Sequence, residues 1–294
     1  MHYSCATTPL AVLRGAVFCL LARIRSVPAI MHFHSSEICG WVPRWWGRPL
    51  LRAAAWPCAR LVTVSKPIRD AAAEVLGDSV DLVVNAVDVD GFADARRVAQ
   101  TKRDDDRCRF VYVGVLADRK GLGVLLDAIL AMRERDEFSV VIAGGAPAEG
   151  PEEAARIEAA YAAAGLEQVG FAGRLDGTGV RDLLAESDVL VLASFAEGLP
   201  IVVIEAMAAG LAVVATPVGD IPSVIADGTT GLLVEPGNAQ QLSDAMLRLA
   251  DDRSLCERIG NAAAEVAEER FDARRLAAQI ADIFDAARQD PSKA

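Results

Sequence analysis

The stretch that most constrains this chain runs from residue 187 to 238, SDVLVLASFAEGLPIVVIEAMAAGLAVVATPVGDIPSVIADGTTGLLVEPGN. Residues 188–192 form an apolar run led by a polar residue, short enough for a strand covered on both faces. Phe195-Ala-Glu-Gly-Leu-Pro follows, a tight loop in which Gly198 permits close backbone approach. Pro200 suits the start of a helix, where its missing N–H costs nothing, and 201–209 reads as that helix, closed by Gly210. A second buried run then begins at 211. Strand, loop, helix and strand in this order belong to a parallel sheet with helices on its faces. The helix start beside the glycine loop leaves N–H groups that favour an anion such as phosphate.

Glu197 and Glu205 bracket this loop with seven residues between them. Glu205 lies about one and a half turns inside the helix, among Ile204, Ala206 and Met207. A carboxylate held there needs hydrogen-bond donors, and a ribose diol offers two adjacent ones. A plainer pair of roles is a backbone cap for Glu205 and a solvated loop position for Glu197. The agreement of loop, helix start and strand favours the ligand roles.

Ser194-Phe-Ala-Glu-Gly-Leu-Pro, Glu205-Ala-Met-Ala-Ala-Gly, Pro217-Val-Gly-Asp-Ile-Pro-Ser-Val-Ile and Gly231-Leu-Leu-Val together resemble the donor-site signature of glycosyltransferase family 4. Its members are retaining enzymes of the GT-B fold that use nucleotide-activated sugars. The resemblance implies that Glu205 holds the ribose hydroxyls. It implies that Glu197, with the backbone of Gly198 and Leu199, holds the sugar and diphosphate, and Pro200 counts among the donor-binding positions.

A second loop, Gly114-Val-Leu-Ala-Asp-Arg-Lys-Gly, follows an expected strand at 109–113. Lys120 there would set a compact positive charge against a diphosphate and ease departure of the nucleotide. The family pattern carries Arg directly after the glycine, where this chain has Val115, and Arg119 is the substitute to hand. By the same resemblance, Arg174 and Leu175 fall where the family packs the nucleotide base. Phe33-His34-Ser35 resembles the segment whose histidine faces the sugar, which makes His34 and Glu197 the catalytic candidates.

The expected fold is α/β and GT-B-like, with two Rossmann-like parallel-sheet domains. An acceptor-side domain covers 1–90, a polar linker 91–108, the nucleotide-sugar domain 109–270, and a helix at 271–288 crosses back to the first domain. A helix starting at Pro9, capped by Thr7 or Thr8, continues to Ile24, and strands follow at 27–33 and 61–64. The family's opening strand and its glycine-rich acceptor-side loop have no match here, so the first domain is expected to be incomplete. An unpaired sheet edge and an exposed apolar face near 27–33 are expected with it, and weak transfer activity.

Charge is uneven: residues 1–69 carry +8 and the remainder −19, for a total of −11 in 294 residues. The acidic part argues against nucleic acid as a partner. All four tryptophans lie in 41–56, interleaved with Arg44, Arg48 and Arg52. That mixture suits peripheral contact with an anionic membrane face, or a helix that packs its tryptophans inward. Six scattered cysteines without a CxxC pattern read as reduced thiols of a cytoplasmic protein. No phosphate-loop DxD pattern stands out, and neither metal nor other cofactor is expected.

The resulting expectation is retaining transfer of a sugar from a nucleoside-diphosphate donor to a hydroxyl of a glycan, lipid-linked or small-molecule acceptor, in glycan or glycolipid synthesis. The alternatives are a non-catalytic relative that holds a nucleotide sugar or a partner protein, and a GT-B-related nucleotide-sugar epimerase.

Overall fold

The computed structural model describes residues 1–34, 37–101, 107–147 and 150–289. Ser35 of the histidine segment and positions 102–106 of the expected linker lie outside these residues. The chain divides into two compact units: Met1–Ala86 with the chain from Ala273 onward, and Val87–Asp272.

The first unit holds a parallel sheet in the order β1-β2-β3-β4, formed by His2–Cys5, Ile30–Phe33, Arg60–Thr63 and Val80–Leu82. The sequence pattern shows no strand at His2–Cys5. That strand pairs with β2 from His2↔Ile30 to Cys5↔Phe33. The open sheet edge expected beside 27–33 therefore lies one strand further out, along β1. Helix Pro9–Ile24 begins where Thr8 accepts a hydrogen bond from the Ala11 N–H at 3.2 Å, an N-cap that satisfies one orphan donor. It buries Val12, Gly15, Cys19 and Ala22 but leaves Leu10 79% and Ile24 72% exposed. The exposed apolar face thus belongs mainly to this helix. Helix Ala273–Gln289 packs Leu276, Ile283 and Ala287 against Ile30, Val62 and Val83 on the same sheet, and Gln279 donates to the Leu82 carbonyl at 2.8 Å.

The Trp-rich stretch divides. Trp41 is buried, its indole N–H donating to the Thr7 carbonyl at 2.6 Å, and Trp46 stacks on it at 5.9 Å. Trp45 and Trp56 face outward.

The second unit is a six-stranded parallel sheet in the order β10-β9-β8-β5-β6-β7. Its strands, in chain order, are β5 (Cys108–Val113), β6 (Phe138–Ala143), β7 (Val169–Gly173), β8 (Val189–Leu192), β9 (Ala212–Ala215) and β10 (Leu232–Leu233). β8 and β9 are buried along their whole lengths, which is why they read as unbroken apolar runs. Asp188, itself buried, accepts from the Arg109 N–H at 2.9 Å and so ties the entrance of β8 to that of β5. The chain winds from β5 outward through β6 to β7, then returns to the other side of β5 for β8. The strand order reverses at β5/β8, and ligands of open α/β sheets bind at the carboxyl ends of strands at such a switch point.

The polar linker expected over 91–108 is instead largely helical. Val89–Gln100 is a helix of the second unit, capped by Asp88 through the Gly91 N–H at 3.2 Å and anchored by buried Val89 and Phe92. Among the described residues, no helix is long and apolar enough to cross a membrane.

A histidine cluster closes the carboxyl end of β2. His2 Nε2 lies 3.2 Å from His32 Nδ1, and the His32 and His34 rings are 4.1 Å apart. Burial, then the neighbouring His34 and His2, push the His32 pKa from 6.5 down to about 4. The folded chain thus refuses a proton that the unfolded chain accepts as pH falls below 6.5. Stability present above that pH is lost progressively down to about pH 4. We expect the urea midpoint to fall between pH 7 and 4.5, with a His32 share of about 1 kcal/mol once discounted for partial exposure. His32→Phe should flatten that part of the pH profile. Parallel wild-type and variant profiles would show that the cluster is not its source.

Candidate functional site

The switch point gathers two loops. The first follows β5 and runs from Gly114 through the short 3-10 turn Asp118–Lys120. The second follows β8 and runs from Ser194 to Pro200. The Phe195 N–H donates to the Arg119 carbonyl at 2.8 Å, a bond made possible because β5 and β8 are neighbours. Gly121 is required where the loops touch. It sits at φ +71°, and a Cβ there would lie 1.9 Å from the Ala193 carbonyl oxygen.

Lys120 and Glu197, 77 positions apart, meet at 2.6 Å between Nζ and Oε1. Their side chains are 14% and 7% exposed, so this is a nearly buried pair, and removing one partner alone is costly. Ser194 donates to the same Glu197 oxygen at 2.7 Å. Gly219 closes over the loop. It adopts φ +59°, a Cβ there would come within 2.3 Å of the Glu197 carbonyl oxygen, and the next residue, Asp220, donates its N–H to the Gly198 carbonyl at 3.0 Å.

Pro200 is the N-cap of helix Ile201–Ala208. Glu205 lies on that helix between buried neighbours Ile204 and Ala206, and its carboxyl has no hydrogen-bond partner among the described residues. Burial raises its carboxyl pKa, opposed in part by the charge of Arg181. A half-buried carboxyl without a protein donor has its acceptor capacity open to solvent or to a ligand. Arg181 is itself held by Asp88 at 3.2 Å and lies over the Phe92 ring at 5.2 Å, with its Nε buried and unpartnered.

Beside these loops, at the ends of β5, β6 and β7, is a cavity of about 490 Å³, within the range that takes small ligands. Gly114, Val115, Gly145, Arg174 and Leu175 line it. The second unit therefore brings Gly114, Arg119, Lys120, Arg174, Leu175, Glu197, Gly198, Leu199 and Pro200 to one end of one sheet, with Glu205 inside the helix that follows Pro200. Arg119 is exposed on the first loop. His34 belongs to the first unit, in the histidine cluster, and burial lowers its pKa as well.

Several residues of this site are not among the candidates that the sequence offers. Tyr112, buried at the end of β5, donates to the Val115 carbonyl at 2.8 Å and shapes the loop in which Val115 departs from the expected arginine. Burial raises its pKa, and the charge of nearby Glu197 adds to the effect. Arg181 lies on helix Gly177–Ala185, an element that sequence pattern leaves unassigned. Ser194 alone has a legible cue, a hydroxyl three positions before a carboxylate.

Over residues 94–266, more than half its length, the chain matches the family Glycosyl transferases group 1, and it belongs to that family. It is 29% identical to an alpha-D-kanosaminyltransferase of Streptomyces kanamyceticus over 90% of this chain and 72% of that one. It is 32% identical to a phosphatidyl-myo-inositol mannosyltransferase of Mycobacterium leprae over 79% of this chain and 60% of the relative. The chain thus spans between three-fifths and three-quarters of those relatives' lengths. HepE of Anabaena, solved in complex with UDP and glucose, matches with a TM-score of 0.75 at 22% identity, covering 97% of this chain and 77% of that one. At that identity the likeness speaks for the fold, which is GT-B-like with two parallel-sheet α/β units.

Proposed function

We propose that this chain binds a nucleoside-diphosphate sugar and transfers the sugar, with retention of anomeric configuration, to a hydroxyl acceptor, in the manner of glycosyltransferase family 4. The observation that carries the proposal is the 2.6 Å contact of Lys120 with Glu197 at the switch point, with the unpartnered Glu205 on the helix that follows. In this reading the base occupies the cavity lined by Arg174 and Leu175, and the ribose hydroxyls reach Glu205. The diphosphate draws Lys120 and the leading N–H groups of helix Ile201–Ala208, and Glu197 turns to the sugar. Lys120 neutralises the charge that grows on the departing diphosphate, a task for which no metal or other cofactor is invoked. His34 is kept as a catalytic candidate on the likeness of its segment Phe33-His34-Ser35. The transferase names of the relatives and the UDP and glucose held by HepE support this class of donor. Glycan, lipid-linked and small-molecule hydroxyls are the acceptor classes to screen. Nuclear magnetic resonance of the product tests retention: an anomeric configuration unlike the donor's would overturn it.

A peripheral contact with anionic lipid at the inner membrane face of a cytoplasmic protein is a second, separate proposal. It is supported by Trp45 at 90% and Trp56 at 63% exposure, flanked by Arg44 and Arg52 in a stretch of the chain rich in arginine. The chain should pellet with phosphatidylserine vesicles and be released by salt. Replacing Trp45 and Trp56 with Ser should abolish this. Equal pelleting on neutral vesicles would count against it.

A further inference from the structure

Ser194 is fully buried at the end of β8. Its hydroxyl donates to Glu197 Oε1 at 2.7 Å, the same oxygen that Lys120 Nζ reaches at 2.6 Å. The Ser194 carbonyl in turn accepts from Thr216 Oγ1 at 2.5 Å. Thr216 is 1% exposed and follows β9, with its N–H on the Leu192 carbonyl at 3.1 Å. The ends of β8 and β9 are thereby locked together, and Ser194 is held with its hydroxyl on the carboxylate. Both protein donors sit on Oε1, while Oε2 takes no protein hydrogen bond among the described residues.

This arrangement has a consequence for a ligand that competes for Lys120. A diphosphate that draws the ammonium away removes one of the two donors on Glu197. Ser194 is the protein donor that remains, anchored by a strand end and not by a flexible side chain. We infer that Ser194, backed by Thr216, is a positioning residue that keeps Glu197 aimed at the sugar half of the donor once Lys120 has moved to the diphosphate. It thereby sets how strongly the site prefers a nucleotide sugar over the bare nucleotide. The inference rests on the donor reading proposed above.

Calorimetry on the full chain with UDP against UDP-glucose, and GDP against GDP-mannose, gives the affinity ratio of sugar nucleotide to nucleotide. Ser194→Ala should reduce that ratio about tenfold, the effect of losing one hydrogen bond to a charged group. It should move the affinity for the bare nucleotide far less. Ser194→Thr, which keeps the hydroxyl, should restore the ratio. Thr216→Val, a near-isosteric change that loses the bond to the Ser194 carbonyl, should give an intermediate loss. It keeps the test open should the bulkier threonine at position 194 prevent folding. An unmoved ratio, or equal weakening of both ligands in Ser194→Ala, would mean that Ser194 only closes a turn. Thermal unfolding without ligand separates failure of this inference from failure of the donor reading. Ser194→Ala should lower the melting temperature in the wild-type background and leave it unmoved in Glu197→Ala. Equal drops in both backgrounds would overturn the role of Ser194, whichever nucleotide binds. Failure of both ligand pairs to bind the wild-type chain would overturn the donor reading and the discrimination role with it.

Discussion

Replacing Lys120 with methionine is expected to cut turnover of the nucleotide sugar by about 10²–10³-fold, the loss typical of a missing charge-stabilising donor. The methylene stem is largely retained, so the loop keeps its packing while the charge disappears. Lys120 sits where two loops converge, its Nζ 2.6 Å from Glu197 and only 14% of its side chain exposed. A charge so shielded from water acts more strongly on a developing anion than it would in bulk solvent. Negative charge on the diphosphate grows as the glycosidic bond breaks, so the loss should fall more on kcat than on KM. Arginine is not expected to rescue fully, because its planar fork cannot reproduce a compact ammonium seated against one carboxylate oxygen. Steady-state kinetics of the Met and Arg variants check this. A Lys120→Met chain with unchanged kcat would remove Lys120 from the chemistry.

Glu205→Ala should weaken binding of the nucleoside diphosphate by about tenfold or more. One hydroxyl donor to a charged carboxylate contributes about 1.5–3 kcal/mol, and each 1.4 kcal/mol is a factor of ten. The free carboxyl has no protein donor, so its removal sacrifices no internal hydrogen bond, and the variant should fold normally. Burial raises its pKa against the opposing charge of Arg181, which gives the prediction a pH signature. The ionised form is the acceptor, so affinity should rise with pH through the raised pKa and level off above it. Glu205→Gln should lose that dependence, and its amide oxygen should retain part of the affinity. Titrations at several pH values between 4.5 and 7.5 read both effects. A pH profile shared by wild type and Glu205→Gln would place the titrating group elsewhere.

The strand, loop and helix of the proposed donor site are legible in the sequence for a physical reason. A parallel strand covered on both faces must be a short apolar run, and 189–192 and 212–215 are that. Glycines and Pro200 mark the loop and helix between them. Lys120 and Glu197 can each be read from its own loop, but their contact depends on β8 lying beside β5, and strand order is not written in local pattern. Helix Gly177–Ala185 escapes detection because Gly177 and Gly179 weaken helix propensity. Asp176 offsets them by capping the Gly179 N–H at 2.8 Å. With that helix goes Arg181, the cation that balances Glu205. Strand His2–Cys5 is hidden because an edge strand of four residues with one buried position has almost no periodicity to detect. Helix Val89–Gln100 passes for a linker because two apolar anchors in twelve residues resemble a solvated segment. Conversely, the tryptophans of 41–56 form one cluster in sequence but divide in space, two packed near Thr7 and two exposed.

Whether the second unit holds a nucleoside diphosphate at Lys120 and Glu205 is decided by a calorimetric titration of the 294-residue chain with UDP, GDP and ADP, repeated on Lys120→Met and Glu205→Ala. Saturable one-to-one binding of at least one of the three nucleotides is expected, weakened about tenfold or more by Glu205→Ala and weakened also by Lys120→Met. Binding of none, or binding that neither substitution weakens, would contradict the donor site.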